Sequence, residues 1–199
     1  MKQNIHKRRY RLLVDFAKVH RFLTEIYSLD TLNSYLLPQF CEYAHTHPFF
    51  NHKLTHRIWL WEDNGKLVGI ACYEMDVGES FLVTDRDHAF LLPEMLEFAE
   101  KDLSVIKNGK LTLSVWVTDK ETDKIDLLSR NGYKKVYTEP VRIFSYDKPF
   151  LDIKVPDGYT IISLEDENDY KKIHECLWKG FDHGDNPDDD IDCRIHMQK

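Results

Sequence analysis

Apolar residues return along this chain at two spacings, every second position and every third or fourth, and the switches between them outline a mixed fold. A first strand is expected over 8–14, and Phe16, Val19, Phe22, Leu23 and Ile26 share one face of a helix over 15–27. A second helix is expected from Leu32 to about Ala44, ending before Pro48. Residues 58–61 and 67–73 read as two strands joined through Asn64 and Gly65, the strongest short hairpin signal, which makes them antiparallel neighbours. A short strand over 81–84 leads into a long helix over 89–103, with Leu92, Leu96, Ala99 and Leu103 on one stripe. Alternation over 111–117 predicts another strand, and 125–130 a short helix closed by Asn131 and Gly132. Two last strands, 133–138 and 141–146, flank Pro140. The expected class is α/β of the α+β kind: a mixed, mostly antiparallel sheet covered by helices.

The same beginning then recurs. Lys18, His20 and Leu23 return 154 positions later as Lys172, His174 and Leu177, and Phe16, Val19 and Tyr27 are matched by Tyr170, Ile173 and Phe181. Repetition at domain-sized spacing points to duplication. It predicts a first domain over 1–150, a linker over 151–157, and over 158–199 the strand at 159–162 and the helix at 167–181 that open a second, incomplete domain. The helix would then carry an apolar face of Tyr170, Ile173, Leu177 and Phe181, to be covered by the first domain or by a second copy in a homodimer.

Charge sharpens this division. Of the net charge of -7, none lies in residues 1–150, which hold 21 basic and 21 acidic side chains, whereas 151–199 hold 6 and 13. A neutral domain with an acidic extension lacks the basic face that nucleic acid requires, and Arg8, Arg9 and Arg11 are too few to supply it. No apolar run is long enough for a membrane helix or a secretory signal, so the expected setting is the cytoplasm with no membrane partner. Cys41, Cys72, Cys176 and Cys193 have no paired spacing and read as structural thiols.

His45, His47, His52 and His56 crowd into twelve positions, but no Cys or carboxylate falls among them at a ligand spacing. They read as a polar loop near a cleft, with no metal expected. The acidic run from Asp182 to Asp190 lacks the alternating ligands and closing Glu of a calcium loop and reads as a solvated segment. Trp59, Trp61 and Trp116 read as core. No hydrolase, zinc-protease or Walker motif occurs.

Gly65, Val68 and Gly69 resemble the G-x-x-V-G strand pair of the GNAT superfamily of acetyl-CoA-dependent N-acetyltransferases, and Leu127, Gly132 and Tyr133 resemble its L-Y-x-x-x-G-F segment. The order of elements over 8–147 is similar to that family's. The resemblance implies a GNAT-like acyl-CoA N-acyltransferase fold and direct transfer of acetyl from acetyl-CoA to a small-molecule amine. It implies Glu74 or Glu79 as catalytic base, the backbone of Leu82, Val83 and Thr84 beside a pantetheine arm, and Arg86 toward the cofactor's phosphates. The chain departs from the family where the family has a glycine-rich phosphate turn, because Asp85, Arg86, Asp87, His88 and Ala89 stand there. It departs again where the family has an acid tyrosine, because Leu128 stands there and leucine cannot donate a proton. Catalysis is therefore expected in the second domain, the alternative being a non-catalytic binding or assembly domain.

Overall fold

The computed structural model describes residues 4–28, 36–47, 49–152, 154–182, 184–185, 191–192 and 195. The chain forms two compact units, Met1–Lys134 and Lys135–Lys199. The division lies ahead of the linker expected at 151–157. No described helix is long and apolar enough to cross a membrane.

In the first unit β1 (Ile5–Arg9) is followed by α1 (Leu12–Ile26) and α2 (Pro38–Thr46), then by a 3-10 turn (His52–Arg57). The strand expected over 8–14 ends at Arg9, because Leu12 already starts the helix. The expected start of the second helix, 32–35, lies outside the described residues. The central hairpin forms as read: β2 (Trp59–Asp63) pairs antiparallel with β3 (Lys66–Cys72), and Asn64 and Gly65 take the positive φ of 48° and 84° that such a turn demands. β4 (Glu79–Thr84) continues antiparallel to β3, and a 3-10 turn (Arg86–Leu91) leads into α3 (Leu92–Asp102).

The strand expected over 111–117 is broken at Leu113. Its first half, β6 (Lys110–Thr112), pairs with β5 (Val105–Lys107) in a separate two-stranded ribbon. Its second half, β7 (Ser114–Trp116), joins β4 in parallel, giving a five-stranded sheet in the order β1-β2-β3-β4-β7. Gly78 makes that switch of partners. Its N–H donates to Leu103 O at 2.6 Å and its carbonyl accepts from Ser114 N at 2.9 Å, with φ at +109°. A Cβ there would stand 2.9 Å from a Val105 methyl. Gly78→Ala is expected to cost roughly 2–3 kcal/mol in chemical unfolding of the chain, from backbone strain with added crowding, whereas Gly65→Asn keeps the hairpin turn and costs less.

Both faces of the sheet are covered, which is why β3 is buried from Leu67 to Cys72. Along β2, Trp59 and Trp61 face α3, where both rings meet Phe98 edge-on, at 4.4 and 5.7 Å between centroids. Their indole N–H groups reach Asp102 (2.7 Å) and Glu94 (2.9 Å). Glu62 turns to the other face and meets α1. Gly69 lies opposite Trp61 in the register and leaves room for Met95 of α3. The core reading holds for Trp61, whereas Trp59, like Trp116, is only partly buried against the core.

On the α1 face a buried ion network joins three elements. Arg8 of β1 donates from both guanidinium nitrogens to Asp15 (2.7 and 2.8 Å) and from one also to Glu62 (2.7 Å), while Lys18 reaches Glu62 at 2.6 Å. The Arg11 N–H donates to Asp15 at 2.7 Å, at the opening of the helix. Asp15 is 1% exposed.

α4 (Thr122–Arg130) closes the first unit, ending at Asn131 and Gly132 as read. The strands expected over 133–138 and 141–146 do not form, nor does that over 159–162. Period-two alternation there meets no partner strand, and a hairpin without a third strand or a helix behind it is marginal in water. In the second unit Tyr146 is therefore 85% exposed and Ile161 80%. Phe144 stacks on Phe150 at 5.0 Å instead. α5 (Tyr170–Gly180) does form, capped by Asp169, whose carboxylate accepts the N–H groups of Lys171 (3.0 Å) and Lys172 (3.1 Å). Ile173 and Leu177 of this helix face Ile162 and Leu164 across a shallow groove of about 280 Å³. Most of the acidic run, residues 183 and 186–190, lies outside the described residues.

Candidate functional site

β4 is the element around which the expected site residues are arranged. Glu79 opens the strand, exposed, with its carboxylate accepting the Trp116 indole N–H at 3.2 Å. Thr84 closes it, half-buried and paired with Gly69, and Arg86 follows, exposed, on the 3-10 turn. Six extended residues set Glu79 about 17 Å from Thr84, so the expected base and the expected phosphate contact lie at opposite ends of one strand. Glu74 stands half-buried in the loop after β3. That loop is pinned by Asn51, which donates from its backbone to Met75 O at 2.7 Å and from its side chain to Asp76 at 3.1 Å.

The pairing of β4 decides which backbone groups face outward. It runs beside β7 only from Glu79 to Phe81, opposite Ser114 to Trp116, and then continues without it to Thr84. Asp85 N donates to Val68 O at 3.0 Å, so the alternation of strand backbone turns Phe81, Val83 and Asp85 toward β3. Leu82 and Thr84 are left toward the side where the two strands diverge. The Val83 backbone thus belongs to the β3 ladder. The Leu82 carbonyl accepts from the ammonium of Lys124 at 2.6 Å.

The turn after β4 is organised by a histidine. Asp85 is tied to His88 Nδ1 at 2.6 Å, and His88 Nε2 lies 3.5 Å from Asp63 at the hairpin end without a hydrogen bond of its own. His88 is buried and locally non-helical, φ -115° and ψ 17°. The Asp85 carboxylate and His88 imidazole therefore brace the turn internally, with the imidazole set beside the end of the β2–β3 hairpin. Arg86 is the one cation between Lys66 and Lys101 to set against Asp85 and Asp87. Leu128, where a tyrosine would be needed, is buried core, and Tyr133 donates its hydroxyl to Glu100 at 3.0 Å. Burial, with Glu100 beside it, raises the Tyr133 hydroxyl well above the ordinary phenol.

In the histidine loop the side chains of His45, His47 and His56 are hydrogen-bonded to nearby groups. His45 lies between the Tyr10 hydroxyl (2.9 Å) and the Cys41 carbonyl (2.7 Å), so its Nδ1 carries the proton that goes to the carbonyl and its Nε2 accepts from the phenol. Burial lowers the His45 pKa and pushes the Cys41 thiol up to about 12, which keeps both neutral near pH 7. His47 Nδ1 accepts from Phe49 N at 3.2 Å, and His56 Nδ1 pairs with the Lys53 carbonyl at 3.0 Å. No metal-ligating group of three is formed among the described residues. The contacts of Asn51 bring this loop beside the one that carries Glu74.

Pattern reading missed Lys124, His88, and the network of Arg8, Asp15, Glu62 and Lys18. Asp15 carried a signal, an acid among apolar residues at the opening of a helix. Lys124 carried none, because a lysine near a helix start ordinarily reads as solvated. No protein-family model matches this sequence, and no curated protein matches it either.

Proposed function

We propose that the first unit is a GNAT-like domain that has no catalytic role of its own, within a protein that transfers acetyl from acetyl-CoA to a small-molecule amine through its second domain. The strand order, with a parallel strand leaving β4 half-way, supports the GNAT-like part of this reading. The observation that carries the rest is the turn after β4. There the Asp85 carboxylate is fixed on His88 and Asp87 is exposed, where an anion would need converging N–H groups. Each misplaced carboxylate costs a bound phosphate on the order of 1 kcal/mol at a partly exposed site. A cytoplasmic setting is part of this reading, in keeping with the free thiols of Cys41, Cys72 and Cys176.

Calorimetry of the chain with acetyl-CoA is expected to give no saturable heat at micromolar concentrations. A micromolar Kd would overturn the non-catalytic assignment and return Glu74, Glu79 and Arg86 to a working site. Self-association belongs to the same reading, since the apolar residues of 136–164 are largely exposed. Light scattering over a hundredfold dilution is expected to show a dimer that dissociates, and a constant monomer mass would remove it.

A further inference from the structure

The five-stranded sheet ends on one side at β1 and on the other at β7, and the two edges differ in kind. β1 carries Lys7, Arg8 and Arg9, charges of the sort that keep an edge from pairing with another chain. From Leu113 to Val117 the β7 edge carries none, and Val115, Trp116 and Val117 are residues that favour strands. Ser114 N donates to Gly78 O at 2.9 Å, so Ser114 and Trp116 turn their backbone groups toward β4. By the alternation of a strand, Leu113, Val115 and Val117 turn theirs outward, where the sheet has no further strand. The ribbon of β5 and β6 runs into this edge through Leu113 and adds apolar surface beside it. Val105 lies against Gly78, while Ile106 and Leu111, opposite each other in the register, alternate to the other face and are 76% and 71% exposed.

We propose that the β7 edge is a pairing surface for a second copy of this chain, whose own β7 adds antiparallel about a two-fold axis at Val115. Residues opposite each other in a hydrogen-bonded antiparallel pair exchange both backbone bonds, so Val115, with N–H and C=O on the same outward side, serves as its own partner. Leu113 then meets Val117 of the other copy on either side, and two five-stranded sheets become one of ten strands. Such a contact is self-complementary and closes on itself. The rival arrangement, β7 of one copy on β1 of the next, would not close, and the charges of β1 oppose it. The antiparallel sense is also the one that charge favours. It sets the end of β7 that follows Lys107 and Lys110 beside the end that leads to residues 119–123, where Asp119, Glu121 and Asp123 outnumber Lys120. Five residues a side bury less than the roughly 800 Å² per partner of a standard interface, and Ile106 and Leu111 enlarge it only at its margin. The association is therefore weak, with a Kd of about 10–100 μM expected. This surface is separate from the exposed residues of 136–164 and owes nothing to the acetyltransferase-like reading.

The test uses the full chain and the variant Val115→Pro, which deletes the outward N–H and leaves the bonds to β4 in place, as a proline on an edge strand can. Sedimentation equilibrium should show the native chain passing from monomer to dimer with concentration, and Val115→Pro should weaken the dimer roughly tenfold or more. In the native chain the amide exchange of Val115 and Val117 should slow as the dimer fills, since their N–H groups acquire partners only there. A Val115→Pro chain that dimerises as the native one does overturns the edge pairing and leaves self-association through 136–164 standing. Exchange at Val115 that is the same at every concentration overturns it too. A native chain that stays monomeric overturns both forms of self-association. If Val115→Pro does not fold, the exchange of the native chain decides by the same criteria.

Discussion

Arg8→Met is expected to lower the stability of the chain by about 3–5 kcal/mol at pH 7, the cost of leaving a buried charge without its partner. The methionine keeps most of the arginine stem, so lost packing is a minor part. What remains is Asp15, 1% exposed, with the Arg11 N–H as its closest support. Adding Asp15→Asn to the Arg8→Met chain should recover a part of the loss, since an amide is far less costly to bury than a carboxylate. Urea unfolding of the two single variants and the double variant gives the coupling directly. An additive result would mean that the bidentate contact contributes nothing beyond packing.

The same pair fixes the direction of the pH response. Burial pushes Asp15 up, but the hydrogen bonds from Arg8 and Arg11 outweigh it, and the carboxyl lies below its ordinary range; Glu62, against Arg8 and Lys18, and Glu94, against Lys7 and Trp61, behave alike. A carboxyl that is lowered in the folded state contributes stability that is present above the unfolded value near pH 4 and lost as pH falls through the folded one. The native chain should therefore lose stability on acidification below about pH 4. In Arg8→Met burial, the largest single influence on Asp15, is opposed only by Arg11, so its pKa is expected to rise and the folded state to hold a proton that the unfolded chain has released. The penalty of that substitution should grow as pH rises from about 4 toward 7 and shrink again in acid. Unfolding midpoints across this range, for both chains, check the opposite signs.

Trp61→Ala should cost about 4 kcal/mol, in the range of large aromatic truncations in a packed core. The side chain is fully buried between the sheet and α3, edge-on to Phe98, and its indole N–H supplies Glu94 with one of two partners. Trp61→Phe separates the two contributions, because it retains most of the apolar volume and deletes the donor. About 1–2 kcal/mol is expected for that change, with the acid sensitivity of Glu94 reduced. If Trp61→Phe matches the full alanine loss, hydrogen bonding and not packing governs the α3 face.

Local chemistry alone was enough for several elements. Asn64 and Gly65 impose a turn that needs positive φ, so β2 and β3 were legible as antiparallel neighbours, and the apolar stripes marked α1, α3, α4 and α5 because a helix face is defined within a few residues. What remained hidden depends on partners distant in the chain. The alternation over 111–117 is continuous in sequence, but Gly78, bonded to Leu103 and Ser114, divides it between two sheets. The equally clear alternation over 133–146 produced no strand, since alternation alone supplies no ladder bonds and an isolated hairpin is marginal in water. Glu74, Glu79, Leu82, Val83, Thr84 and Arg86 could be named from the resemblance of their segment, whereas the capture of the Leu82 carbonyl by a lysine 42 residues on could not. Periodicity records which face of an element is buried. Whether a charged side chain on that face meets solvent, a carboxylate or a backbone carbonyl is decided by the convergence of separate elements, and only the tertiary structure contains that.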